Sequence, residues 1–349
     1  MAYATTSFDL VNFKVASSKR IIGYNKQIKQ QRFVTFNSVN GVVPRINGVK
    51  KLKVAYQGVP GAFSEFAAKQ AFSDCIPLPC RAFLDAITAV EEGKADLAVL
   101  PVESTMEGTE LRNYDLLLQH DLPIVQEINL YVHYCLLAMP GVSKGELKKV
   151  ISHPLALAHC GKTLAQLGLD HEAVEDTAGA VELLLSNRMF DTAAIASSQA
   201  ALLYGLDVLA HGVQDESWNV TRFLILSKDL RLRSPKGRNK FGSKTSMVVA
   251  HHSGTLNVLL KLLSAFSTRD INLTKLEVNP SRTNGTPVLV LDPKEGGPLK
   301  EFPCILYVDF EGSMDDQNVK DALAEISEFP VFIRTLGSYS ADPNIYGLQ

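Results

Sequence analysis

The chain lacks the marks of a metal site, a disulfide framework or a membrane span. Its five cysteines, Cys75, Cys80, Cys135, Cys160 and Cys304, are scattered, with no CxxC pair and no Cys/His spacing that suits zinc. Reduced structural thiols in an intracellular protein are the reading this favours. No apolar run approaches the roughly 20 residues of a membrane-spanning helix. A formal net charge of −2 gives no global attraction to nucleic acid or an anionic membrane. There is no P-loop to cradle a nucleotide phosphate, no GxSxG elbow and no recognisable Ser/His/Asp triad. His153, His159, His211, His251 and His252 form no metal set. Metallohydrolase and serine hydrolase chemistry are therefore disfavoured.

Acidic residues are nearly missing at the start. Between Met1 and Lys51 the only acid is Asp9, among nine Lys and Arg and many Ser and Thr. This is the composition of an organelle transit peptide, for a plastid or a mitochondrion, or else of a basic disordered tail. Residues 1–51 are set aside as a leader.

What is present is a repeating strand–helix pattern. "KVAYQGVPGAFSEFAAKQAF" reads as strand, glycine turn and helix, and "FLDAITAVEEGKADLAVLPVEST" as helix and strand. "INLYVHYCLLAMPG" reads as one alternating strand, and "DVLAHGVQDESWNVTRFLILSKD" as a returning one. Two small α/β units follow, with a cleft between them: lobe 1 at about 52–126 and 206–230, lobe 2 at about 127–205. The basic, Gly/Pro-rich segment 231–244 reads as a linker. From 245 to 340 the order β-α-β-β-α-β is ferredoxin-like and reads as a separate, smaller domain with a tail at 341–349.

Candidate site residues lie on strand ends and glycine turns. Gly58, Gly61, Ala62, Phe63 and Ser64 form a strand-to-helix turn whose backbone N–H groups suit an anion. Glu103, Ser104 and Thr105 end another strand, where open α/β sheets bind ligands; Glu103 is either a cleft acid or a capping carboxylate. Ser152, His153 and Leu155, and Thr177 and Ala178, lie on two further turns. "SWNVTRFLIL" sets Asn219, Thr221 and Arg222 against an apolar run, and a buried arginine needs a partner for its charge.

Together "YQGVPGAFSE", "PVES", "RNYDLLLQHDLPIVQE", "SHP", "DTAGA", "AAIAS" and "NVTRF" resemble the prephenate/arogenate dehydratase family, plant arogenate dehydratases above all. The likeness runs from about Lys53 to Asn344. It implies an α/β fold: a two-lobed, periplasmic-binding-protein-like (type II) catalytic domain followed by a ferredoxin-like ACT domain. It implies a lyase that removes water and carbon dioxide together without a cofactor, converting arogenate to phenylalanine or prephenate to phenylpyruvate. It also implies an interlobe active site, a plastid location, a homodimer or homotetramer, and phenylalanine as effector at Gly254, Thr255, Leu256, Glu277, Asn279 and Pro280. Small molecules are the expected partners, with no nucleic acid and no membrane. By the same likeness Thr221 serves the departing hydroxyl, and Phe223 packs beside it. Arg222, with a planar fork matched to a carboxylate, is expected to hold the substrate's side-chain carboxylate.

The chain departs from the family at several points. Glu-Asn-Ser becomes Glu103-Ser104-Thr105, the Gly-Gly-Ser-like turn becomes Glu107-Gly108-Thr109, and Ser-His-Pro-Gln becomes Ser152-His153-Pro154-Leu155. Trp218 stands where plant relatives carry a small residue, either packing at the cleft rim or re-lining the site. Glu-Ser-Arg-Pro becomes Glu277-Val278-Asn279-Pro280, with Arg282 nearby. Three readings stay open: a working dehydratase, a paralogue with a reshaped cleft for another ligand or reaction, and a catalytically weak binding or regulatory subunit.

Overall fold

The computed structural model describes residues 51–232, 242–252, 255–280, 286–295 and 297–342. The leader at 1–50, most of the linker, Gly254, Arg282 and the tail from 343 lie outside the described residues.

The first lobe contains β1 (Lys53–Gln57), α1 (Phe63–Ala71), β2 (Ile76–Cys80), α2 (Phe83–Glu91), β3 (Leu97–Ser104), β4 (Gly108–Thr109), α3 (Leu111–Gln119) and β5 (Ile124–Tyr131). The second contains β6 (Cys135–Ala138), β7 (Lys149–Ser152), α4 (Pro154–His159), α5 (Gly161–Leu167), β8 (Asp170–Ala173), α6 (Thr177–Ser186), β9 (Thr192–Ala196), α7 (Ser198–Tyr204) and β10 (Asp207–His211). The chain then returns to the first lobe as β11 (Val220–Leu226). The C-terminal module has β12 (Ser243–Ala250), α8 (Thr255–Ser267), β13 (Leu273–Pro280), β14 (Val288–Leu291), β15 (Leu299–Phe302), β16 (Cys304–Glu311), α9 (Gln317–Ser327) and β17 (Phe332–Ser340).

Lobe 2 is a five-stranded sheet in the order β10-β6-β9-β7-β8. The lobe boundaries differ from those expected. β5 stays paired with β11 as far as Tyr131, and β10 pairs with β6 rather than with lobe 1. The single strands expected at "INLYVHYCLLA" and "DVLAHGVQDESWNVTRF" are thus each two strands in different sheets. The crossings fall at 132–134 and 212–219. Alternating hydrophobicity continues through the first crossing at Val132 and Tyr134, so it carries no sign of the change of sheet there; the second crossing is polar and breaks the apolar pattern.

The module has the β13-β16-β12-β17 order of a βαββαβ unit, with the β14–β15 hairpin as an insertion that sequence patterning missed. It is not a separate body. One ten-stranded sheet runs β13-β16-β12-β17-β5-β11-β3-β1-β2, with β4 on β3. The junction is the parallel bridge of Ser340 with Gln126. One core joins Leu100, Tyr114 and Leu224 of lobe 1 to Val248, Tyr307 and Leu336 of the module. The reason is visible along the strands. Met247, Val249, Leu306, Val308 and Phe310 face the module's own helices. Val248, Ile305 and Tyr307 point to the other face and need a second cover, which lobe 1 provides. At the junction a Cβ on Gly337 would collide with the backbone of Ile124. Gly337→Ala is therefore expected to lower stability by about 1–3 kcal/mol, read as a lower denaturant midpoint.

Candidate active site

The lobes meet across the β1–α1 turn. Ser197 Oγ donates to the Gly61 carbonyl at 2.9 Å while accepting from Ala200 N at the start of α7. Tyr204 Oη donates to the Pro60 carbonyl at 3.1 Å. Phe63 packs edge-on to Tyr134, ring centroids 5.6 Å apart. The turn is held from below by Glu65, buried, whose carboxylate accepts from Gly61 N at 2.6 Å. Gly61 has φ +92°, and a Cβ there would lie 3.1 Å from Ala200 of the other lobe. Gly61→Ala is expected to cost about 1–3 kcal/mol through backbone strain and to weaken interlobe closure, measurable as faster amide exchange at Ala200.

Thr221 lies on β11 beside Ser104 of β3 and Leu130 of β5. Strand alternation puts it on the side of Phe223, Ile128, Leu130 and Ala62, the side that also receives Ala178 from α6 of lobe 2. Its hydroxyl has no protein partner among the described residues. Ser104 Oγ accepts from Met106 N at 3.1 Å. The β1–α1 turn, the end of β3, the start of α6 and Thr221 thus converge on the interlobe cleft. A cavity of about 650 Å³ opens beside it, lined by Gln57, Gly58, Arg81, Glu175 and Asp176 among others.

Several expected ligand groups are already committed. Thr105 Oγ1 donates to the Trp218 carbonyl at 2.9 Å and accepts from Val220 N, so it fixes the returning chain. Ser152 is wholly buried and donates to the Ile195 carbonyl at 2.6 Å. His153 caps α4 by accepting from Leu155 N. Its pKa is pushed down, chiefly by burial, with His159 adding to the shift and Asp176 opposing it. This suits a neutral imidazole as acceptor. Leu155 itself is 42% exposed. Asn219 is buried, its backbone carbonyl accepts from Val132 N, and its side chain lies beside the Tyr134 hydroxyl. Trp218 is 47% exposed and rests edge-on against Tyr131, which matches packing at the rim.

Arg222 corrects the largest expectation. The same alternation that turns Thr221 to the cleft turns Arg222 to the opposite face, toward the module. It is 6% exposed. Its Nε donates to Glu127 at 2.8 Å, its Nη1 to Asp309 at 2.6 Å and to Glu103 at 3.2 Å, and its Nη2 to Tyr339 Oη at 2.8 Å. Its carboxylate partners are internal, and four of its five N–H donors are engaged by Glu127, Asp309, Glu103 and Tyr339. Burial works against its charge, and Asp309, Tyr339 and Glu127 outweigh burial, raising its pKa. Glu103 is likewise neither a cleft acid nor a cap: it joins Arg222 to Lys275 of β13 at 2.9 Å. Glu277 bonds Thr109 at 2.6 Å and Lys275 at 3.3 Å, facing lobe 1. Asn279 is buried on the same strand.

Sequence reasoning missed Glu65, Glu127 and Asp309. A signal existed for the last two, because "IVQEINLY" and "CILYVDF" each set one acid inside an apolar strand. It also missed the contact of His159 with Glu107, 2.6 Å across the cleft from α4 to the β3–β4 turn. Among the described residues no cluster of three or more His, Cys, Asp or Glu could hold a metal ion.

A family model described as prephenate dehydratase matches residues 54–231. The chain is 52% identical over 293 residues to arogenate dehydratase/prephenate dehydratase 6, chloroplastic, of Arabidopsis thaliana, covering 83% of this chain and 69% of that protein. It is 52% identical over 293 residues to arogenate dehydratase 1 of Petunia hybrida, covering 83% and 67%. Among solved structures it is similar to the quorum-quenching acylase GqqA, at TM-score 0.70 and 30% identity over 84% of this chain and 99% of that one. It is similar also to a prephenate dehydratase from Arthrobacter aurescens in complex with L-Phe, at TM-score 0.69 and 27% identity over 83% and 90%.

Proposed function

Because the chain belongs to the prephenate dehydratase family, we propose that it is an arogenate dehydratase, a lyase that converts L-arogenate to L-phenylalanine and accepts prephenate as a second substrate. The observation that carries the reading is Thr221, a hydroxyl without a protein partner among the described residues, on the cleft face of β11. As the ring carbon–carboxylate bond breaks, its electron pair forms a ring double bond and expels the ring hydroxyl. Carbon dioxide leaves, and the hydroxide takes a proton to leave as water. Thr221 donates a hydrogen bond to that oxygen as charge grows on it, where a positioned donor in a site shielded from water acts most strongly. An alcohol is a poor acid, so Thr221 polarises the leaving group, and the proton is taken from solvent at the cleft mouth. Glu175 and Asp176 at that mouth offer carboxylates to the ammonium of arogenate, and Arg81 offers a cation to its carboxylate.

The plastid is the compartment this reading carries, since relatives are named chloroplastic. The C-terminal module is read as an ACT domain that takes phenylalanine as feedback signal, supported by the relative solved with L-Phe. The assembly is read as a homodimer or homotetramer.

The test is incubation of the purified chain with arogenate and with prephenate, following aromatic product. Turnover of arogenate sustains the reading. Absence of turnover with both, restored by Ser104→Asn with Leu155→Gln, would show a dehydratase cleft that has lost its activity. A second reading, a cleft reshaped for other chemistry, is favoured by those two replaced carboxamides and by the likeness to an acylase. Absence of turnover in the double variant as well would favour it.

A further inference from the structure

Beneath the cleft face of β11 lies a charge network, buried at Arg222, Lys244, Lys275, Glu127 and Asp309 and partly exposed at Glu103 and Glu277, to which the dehydration chemistry assigns no task. Three cations, Arg222, Lys244 and Lys275, meet four carboxylates, Glu103, Glu127, Asp309 and Glu277. Its members come from both lobe 1 and the module. Glu103, Glu127 and Arg222 lie on lobe 1 strands; Lys244, Lys275, Glu277 and Asp309 lie on module strands. Tyr339 Oη of β17 accepts from Arg222 and shares a 2.6 Å hydrogen bond with Ser246 of β12. Glu127 also accepts from Lys244 Nζ at 3.1 Å and from Asp342 N at 3.1 Å. The Asp342 carboxylate in turn accepts from Asn129 N at 2.6 Å. The pairing of β11 with β3 is irregular between Arg222 and Phe223. Such bulges re-aim side chains beside active sites, and here the residue next to the bulge carries the network while its neighbour Thr221 faces the cleft.

We infer that Arg222 is a positioning residue through which the C-terminal module holds Thr221 in place. Asp309 and Tyr339 grip the guanidinium from the module side, and Glu127 and Glu103 grip it from β5 and β3. The backbone on either side of Arg222 is then fixed by four neighbouring strands, two of lobe 1 and two of the module. A shift of the module relative to lobe 1 pulls on the residue adjacent to Thr221. The module is thereby part of the active-site scaffold, and an effector that moves it has a mechanical route to the catalytic hydroxyl. This rests on the dehydratase reading for its kinetic readout but not for its structural one.

The experiment uses Asp309→Asn and the milder Tyr339→Phe, each in the full chain, with two readouts. In steady-state kinetics on arogenate, Asp309→Asn is expected to lower kcat about tenfold or more, since small displacements of a positioned group are costly. Tyr339→Phe should lower it a few-fold, and KM should stay within about twofold in both. In amide exchange, residues 220–224 should exchange faster in both variants while lobe 2 strands β7 and β9 keep the parent's rate. If Asp309→Asn does not fold, Tyr339→Phe decides. A raised KM at unchanged kcat would overturn the inference, because it would return Arg222 to substrate binding. Parent-like kinetics with parent-like exchange at 220–224 would overturn it as well. If the parent turns over neither arogenate nor prephenate, the dehydratase reading has failed, and exchange at 220–224 alone decides the inference.

Discussion

Thr221→Val is expected to lower kcat on arogenate by about 10²- to 10³-fold, the range typical for losing one positioned hydrogen-bond donor to a developing oxyanion, with KM changed only a few-fold. Valine has nearly the shape of threonine and an equal liking for strands, so β11 keeps its place between β3 and β5. No protein hydrogen bond of the side chain is lost among the described residues, so the melting temperature should stay within about 2 °C of the parent. The two readouts together separate chemistry from folding. A kcat within tenfold of the parent would remove Thr221 from the mechanism and leave the site without a donor to the departing hydroxyl. Thr221→Ser, which keeps the hydroxyl, is the control and should retain most of the rate.

Arg222→Leu is expected to cost about 3–5 kcal/mol, because removing one partner leaves buried carboxylates uncompensated, with a melting temperature lower by roughly 10 °C. The pH dependence carries a sign that tests the cause. Burial acts to raise the Asp309 pKa, but Arg222 and Lys244, with hydrogen bonds from Ser246 and Arg222, outweigh it and hold the carboxyl below its ordinary value. A depressed acid stabilises the fold fully above its unfolded pKa, near 4, and loses that contribution as pH falls through the folded value. Without Arg222 the burial penalty on Asp309 has far less to oppose it and the folded pKa rises. The variant then loses stability as pH rises through that value. The stability gap between parent and variant should be widest at neutral pH and close as the solution is acidified below about 4. A gap that is constant with pH would assign the loss to packing of the guanidinium rather than to its charge. Arg222→Lys should also destabilise, because a single ammonium cannot serve Glu127, Asp309, Glu103 and Tyr339 in four directions.

Much of the frame was legible along the chain. A glycine turn after an apolar strand located α1, the "DTAGAVELLLSN" segment located α6, and the period-two and period-3.6 segments after 244 located β12, α8, β13, β16, α9 and β17 within a few residues. The β14–β15 hairpin was not legible, since its four-residue strands are too short to show a period. The first lobe crossing was not legible either, because Val132 and Tyr134 continue the apolar pattern of β5 into β6. Motifs singled out the strand-end turns, yet Ser152, Thr105 and His153 spend polar atoms on backbone partners.

The sequence by itself determined the strand–helix order, the βαββαβ module and the family to which Asn219-Val220-Thr221-Arg222-Phe223 belongs, because local periodicity and motif spacing are written in consecutive residues. The tertiary structure decided which way each of those residues looks. Adjacent positions on a strand face opposite sides, so Thr221 reaches the cleft and Arg222 cannot follow it there. What Arg222 meets is set by strands 87 and 95 residues away in sequence, at Asp309 and Glu127. That pairing exists only because the module's second sheet face had to be buried and lobe 1 was the surface that covered it.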